Sequence, residues 1–209
     1  MRALIALPVL ALSVLALPAH AEPAGSVSQL ALAHQLFAQG ASNRDALAQI
    51  AAARLAAGVT VQMVERAPEL SGTAGKGPDA ADAPRDAASL LAAATAAAEA
   101  DETLAILLGS AIATAEVLPK SVVRASVATL NPGQSHGYRI AADGAVPVEI
   151  GVIGDGDSVL ALSVETEAGP ACLAPLVPAC AVTLPDSGFL VVRVVNSGPG
   201  VTSYWLISN

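Results

Sequence analysis

The chain has 209 residues, 54% of them hydrophobic but only 2% aromatic, so it is long enough for one domain or two small ones whose core must be built largely from alanine and aliphatic side chains. Acidic residues outnumber basic ones 18 to 10, for a formal net charge of −8. The basic residues are scattered singly along the chain, which excludes the clustered Lys and Arg through which nucleic acids and anionic lipid surfaces are bound.

Met1 to Ala21 carries Arg2, an apolar run from Ala3 to Leu17, then Pro18 and the small-residue sequence Ala19-His20-Ala21. These are the parts of a secretory signal peptide, residues 1–21, with a mature chain expected to start at Glu22. The apolar run falls short of the roughly 20 residues that span a bilayer. The expected location is therefore periplasmic or secreted, with no stable membrane insertion after cleavage.

Residues 22–119 read as an alanine-rich helical region. Leu30, Ala33, His34 and Phe37 recur at helical spacing, with Gly40 as a stop signal. Ser42 and Asp45 resemble an acidic capping box, and Leu47, Ile50, Ala51 and Leu55 form the stripe of a second helix ending at Gly58. Val59 to Glu65 fits either a helix extension or an irregular strap. Residues 67–85, rich in Gly, Pro, Ser and Asp, predict a flexible loop or linker. Asp86 and Asp101 are N-cap residues for two further helices, the second over Glu102 to Val117 and ended by Pro119. Glu99, Asp101 and Glu102 divide this apolar stretch into runs too short to span a membrane, so a small bundle of four packed helices is expected.

After Lys120 the period changes to two. Alternating runs at 122–130, 134–142, 146–153, 158–166, 181–184, 188–196 and 202–208 predict about seven strands of an antiparallel, jelly-roll-like β-sandwich over residues 120–209. One face carries Tyr138, Ile140, Val148, Ile150, Val152, Leu160, Leu162, Val164, then Leu190, Val192, Val194, Tyr204 and Leu206. These residues form the expected core, because side chains two apart share a face. The fold class is thus α+β, a helical bundle followed by a sandwich.

The cysteines are Cys172 and Cys180. In an exported chain they predict a disulfide ahead of free thiols, and two thiols with no neighbouring histidine do not make a zinc site. In the Gly154-Asp155-Gly156-Asp157 turn, Asp155 and Asp157 are the candidate metal ligands, since two carboxylates with turn carbonyls can begin an oxygen cage for calcium. The competing reading is a hairpin turn whose Asp side chains bond local amides. Trp205 faces opposite Tyr204 and Leu206 and is either the anchor of a binding surface or packed against the helices. Ser135 and His136, adjacent at a strand start, project to opposite faces and so make no nucleophile-base contact, and His136 reads as an exposed turn residue. The sequence holds no HExxH, phosphate loop, nucleophile elbow or paired CxxC.

The run Val148-x-Ile150-x-Val152-x-Gly154-Asp155-Gly156-Asp157, the stretch from Cys180 to Phe189, the strand Val191 to Asn196 and the closing Tyr204-Trp205-Leu206 resemble the bacterial pre-peptidase C-terminal domain and its periplasmic relatives. The resemblance covers residues 120–209. It implies a β-sandwich accessory domain without catalytic residues, found on exported proteins, with an unidentified protein or envelope component as partner. Some relatives bind calcium through acidic residues in and after this turn. Here Val159 and Ala161 stand where further aspartates are expected. The sequence thus predicts a non-catalytic accessory or interaction protein needing no cofactor, the alternative being a calcium-dependent carbohydrate or protein binder acting through Asp155 and Asp157.

Overall fold

The computed structural model describes residues 25–79, 83, 85–99, 101–174 and 179–209, so the signal segment 1–21 lies outside the described residues. Among the described residues there are four helices, α1 (Ser26–Asn43), α2 (Ala46–Ala56), α3 (Ala87–Ala98) and α4 (Glu102–Val117). Ten strands accompany them: β1 (Val59–Met63), β2 (Glu69–Ser71), β3 (Ser121–Leu130), β4 (Ser135–Ala142), β5 (Pro147–Gly154), β6 (Leu160–Thr166), β7 (Gly169–Ala174), β8 (Ala179–Thr183), β9 (Gly188–Asn196) and β10 (Thr202–Ser208). None of the described helices is long and apolar enough to cross a membrane.

The helix ends follow local chemistry. Asp45 caps α2 by accepting from the Ala48 amide at 3.0 Å, so it is itself the N-cap rather than the far side of a box begun by Ser42. Asp86 and Ser89 form a reciprocal box at α3, and the Asp101 carboxylate accepts from the Thr103 and Leu104 amides at 2.8 and 3.1 Å. α1 is different, because its N-cap is Gly25. Glu149 of β5 supplies the missing acceptor, taking the amide of Val27 at 3.1 Å and the hydroxyl of Ser28 at 2.9 Å. A carboxylate at a helix N-terminus also meets the positive end of the helix dipole. This contact docks the helical hairpin onto the sandwich.

Gly40 does not stop α1. The helix runs on to Asn43, where Arg44 adopts the left-handed conformation at φ 57° and ends it. The glycine is there for close packing, since a Cβ at position 40 would stand 3.0 Å from the Ala48 Cβ and 3.0 Å from the Asp45 carbonyl oxygen. The tight α1–α2 hairpin thus depends on a small residue at that contact.

The strands form two five-stranded sheets, in the orders β1-β3-β10-β5-β8 and β2-β4-β9-β6-β7. All the pairings are antiparallel except β1 with β3, where Val59 to Met63 run alongside Ser121 to Ala125. Between the sheets lies the core read from the period of two. Tyr138, Ile150, Leu162, Val164, Leu190, Val192, Val194, Tyr204 and Leu206 are buried there, with Ile140, Val148, Val152 and Leu160 partly buried against them.

A second core lies outside the first sheet. Val123, Ala125, Ile153 and Ile207, on the opposite face of their strands, pack under Val27, Leu30, Phe37 and Ile50 of the first two helices and Leu90 of α3. The helices therefore cover one sheet instead of standing apart, and the layers run helices, sheet, sheet. The outer face of the second sheet faces solvent with Phe189 and Val191 exposed.

Three strands lie where the sequence predicted none. β1 resolves the open choice for residues 59–65 as a strand, and β2 falls inside 67–85, the stretch expected to be loop or linker. Their partners, β3 and β4, are 60 or more residues away in the chain, and edge strands this short carry too little alternation to be read locally. β7 begins Gly169-Pro170, which breaks the pattern, and its register on β6 shifts between Val164 and Glu165. The segment joining β2 to α3 also passes over the loop end of the sandwich, where the Gly75 amide bonds Pro132 O and the Val201 amide bonds Pro78 O, each at 2.8 Å.

Candidate functional site

The turn after β5 brings Asp155 to the loop end of the sandwich, and its side chain is buried there, 2% exposed. Both carboxylate oxygens are engaged. Oδ1 accepts from the Thr202 hydroxyl at 2.6 Å and the Asp157 amide at 3.1 Å. Oδ2 accepts from the Ser203 amide at 2.5 Å and lies 3.9 Å from Nη2 of Arg85. The bond to Asp157, two residues on, is the Asx turn expected of an Asp-Gly-Asp sequence, and Gly156 takes φ +98°, a conformation that suits glycine.

Arg85 reaches this turn from the segment just before α3, and each of its polar parts has a role. Its guanidinium donates to the Ser203 hydroxyl at 3.1 Å and lies 6.0 Å from the ring centroid of Trp205. Its amide donates to the Ser89 hydroxyl at 3.1 Å, and its carbonyl faces Nε2 of His34 at 2.5 Å. Burial lowers the His34 pKa, and the bond to the Arg85 carbonyl works in the opposite direction. Asp155 and Trp205, which the sequence singled out separately, thus meet at one arginine.

This donor set does not fit calcium. The ion takes six to eight oxygens, whereas the Asp155 oxygens already hold three hydrogen-bond donors and a guanidinium that supplies the positive charge. Asp157 enters the turn network through its backbone amide. Glu149, on the preceding strand, is committed to capping α1. Among the described residues no three His, Cys, Asp or Glu side chains are grouped to hold a metal.

Trp205 is half-buried and packs against the helical core. It lies beside Val127 of β3 in register and floors a shallow groove with Ser203 and Ser89, bounded by Arg85 and Asp86. The outward face of this strand is therefore covered by the helices at Ile207 and only partly covered at Trp205.

A second polar cluster was not foreseen. His136 is buried, not an exposed turn residue: it lies within β4, two residues before Tyr138, and shares its inward face. Its Nδ1 lies 2.7 Å from the Tyr204 hydroxyl, which lies 2.6 Å from the Tyr138 hydroxyl. Burial lowers the His136 pKa. It raises that of Tyr138, and raises that of Tyr204 further, with the Tyr138 hydrogen bond adding to the effect. The i, i+2 spacing of His136 and Tyr138 was the available signal. The three groups satisfy one another between the sheets, as buried polar groups must. The ring bonds described for His34 and His136 go to the Arg85 carbonyl and the Tyr204 hydroxyl, and not to a serine.

Cys172 and Cys180 are disulfide-bonded, with Cα atoms 6.2 Å apart. The bond joins β7 of one sheet to β8 of the other and is buried at Cys180 in the inter-sheet core.

No protein-family model and no curated protein matches this sequence. A solution NMR structure of a de novo designed double-stranded beta-helix is similar over 41% of this chain and 99% of its own, at 19% identity and a TM-score of 0.28.

Proposed function

We propose that this is an exported, non-catalytic accessory protein, in which a sandwich like the pre-peptidase C-terminal domain acts as an interaction or stability module for a protein or envelope component. The observation that carries the reading is the use of its most reactive side chains as framework: the Asp155 carboxylate is spent on Thr202, Ser203, Asp157 and Arg85, and His136 on Tyr204. The signal-like segment, together with a disulfide between the two sheets, supports an oxidising compartment outside the cytoplasm. Cell fractionation with N-terminal sequencing tests this. A mature chain beginning at Glu22 in the periplasm or medium is expected, and an uncleaved cytoplasmic chain would remove the proposal.

The alternative, calcium-dependent binding through Asp155 and Asp157, has the occupied Asp155 oxygens against it. Calorimetric titration of calcium into the wild type and Asp157→Ala separates the two readings. Negligible heat from both is expected, whereas heat abolished by the substitution would favour the calcium binder.

A further inference from the structure

The helix α4 is unusually bare. Of its 16 residues, only Leu108 and Ala111 are buried, while Ile106, Leu107, Ile112 and Val117 are 69, 44, 37 and 79% exposed. Between α4 and α2 runs an open cleft of about 490 Å³ whose walls are mostly apolar, with Leu47, Ile50 and Leu55 on one side and Leu107, Ala111 and Leu118 on the other, and with Gln29 and Ser110 as neutral polar groups in the lining. That volume falls in the range of small-molecule sites, roughly 300–1,000 Å³.

The charge around this cleft runs against the rest of the molecule. The chain carries 18 acidic and 10 basic residues, yet the charged side chain lining the cleft is Arg54. Arg54 also borders an adjoining cleft of about 210 Å³ between α2, α3 and α4, whose lining includes Lys120. Among the described residues neither lining includes an Asp or Glu. A mostly apolar trough with one cation, Arg54, at its edge, on an otherwise acidic protein, is complementary to a molecule with an apolar tail and a negative head.

We propose that the α2–α4 cleft binds a monomeric anionic amphiphile, its alkyl chain lying between Ile50 and Leu107 and its carboxylate at Arg54. This goes beyond the accessory role above and does not depend on it. The apolar walls supply affinity through burial of methylenes, and Arg54 selects the sign of the head group. Because Arg54 is exposed, its share is modest and sensitive to salt.

Calorimetric titration of the full chain with octanoate, decanoate, decanol and decyltrimethylammonium, each below its micelle concentration, tests the proposal. Decanoate is expected to bind more tightly than octanoate by up to roughly fourfold per added methylene. Arg54→Gln is expected to weaken decanoate by about two- to fivefold at low salt and to leave decanol unchanged. Ala51→Phe, which fills the cleft from an exposed position, is expected to weaken all of the alkyl ligands, with unchanged thermal unfolding showing that the fold is intact. Binding of decanoate that neither substitution alters would overturn the proposal, as would equal affinity for decyltrimethylammonium or no binding. A wild-type dimer that Leu107→Asp dissociates and decanoate does not would also overturn it, by showing that a second copy covers the cleft.

Discussion

Replacing Asp155 by Ala tests whether the turn after β5 is framework. The substitution removes the acceptor of the Thr202 hydroxyl and of the Ser203 and Asp157 amides, and it removes a carboxylate 3.9 Å from the Arg85 guanidinium, in a place where the two side chains are only 2% and 9% exposed. Removing one member of a buried ion pair costs about 3–5 kcal/mol, because the other charge stays buried. Arg85→Met is milder. It keeps an apolar stem against Trp205, and the carboxylate retains its three hydrogen bonds, so a loss of about 2 kcal/mol is expected. Against a total stability of about 5–15 kcal/mol, Asp155→Ala removes a large fraction. Urea unfolding, followed through the fluorescence of Trp205, the single tryptophan of the chain, and through circular dichroism, measures both losses. The order Asp155→Ala worse than Arg85→Met is expected, with millimolar calcium shifting neither midpoint. A loss below about 1 kcal/mol for Asp155→Ala, or the reverse order, would refute the assignment of this carboxylate as a buried hub.

Acid should destabilise the fold through its buried histidines. The His136 and His34 pKa values are lowered from 6.5 chiefly by burial, so the unfolded chain binds more protons below that pH; their stabilising contribution is complete above pH 6.5 and declines as pH falls below it. His136→Gln, which can still bond the Tyr204 hydroxyl, should flatten the slope of stability against pH between the two pKa values, and an unchanged slope would exclude His136 as a source. Glu149→Ala should leave the Val27 amide and the Ser28 hydroxyl without their acceptor and cost about 1 kcal/mol, read as faster hydrogen exchange in the first turn of α1 than in α2. Equal exchange would argue against capping from the sandwich. Reduction of Cys172–Cys180, or Ala at both positions, should lower stability by about 2–3 kcal/mol in urea unfolding, and no change would mean that the sheets are held together without the bond.

The sandwich core was legible because side-chain period is a local property. Leu190, Val192 and Val194 alternate with outward residues whatever their partners are, and the same holds for Tyr204 and Leu206. Helix starts were legible at Asp86 and Asp101, where the capping acceptor precedes its donors by two or three residues. Gly40 was misread because glycine has two uses, ending a helix or letting another backbone approach, and only the position of Ala48 distinguishes them. His136 was misread although the run 134–142 contained it, because its spacing of two from Tyr138, which fixes its inward face, was not applied to it.

The candidate site shows the same division more sharply. The Asp-Gly-Asp turn was evident from sequence, but its cation was not: the sequence offered calcium only as an alternative to a plain hairpin turn, and Arg85, 70 residues earlier in the chain, supplies the positive charge beside Asp155. β1 and β2 became strands because β3 and β4 offered them sheet edges, and Trp205 became half-buried because α1, α2 and α3 cover the outer face of that sheet. The sequence by itself determined the α+β class, the inter-sheet core and the disulfide pair, since each depends on periodicity or on the count of cysteines. Only the tertiary structure decided which edges are filled, which charges meet and which helix face is left bare, because these depend on contacts between residues far apart in the chain.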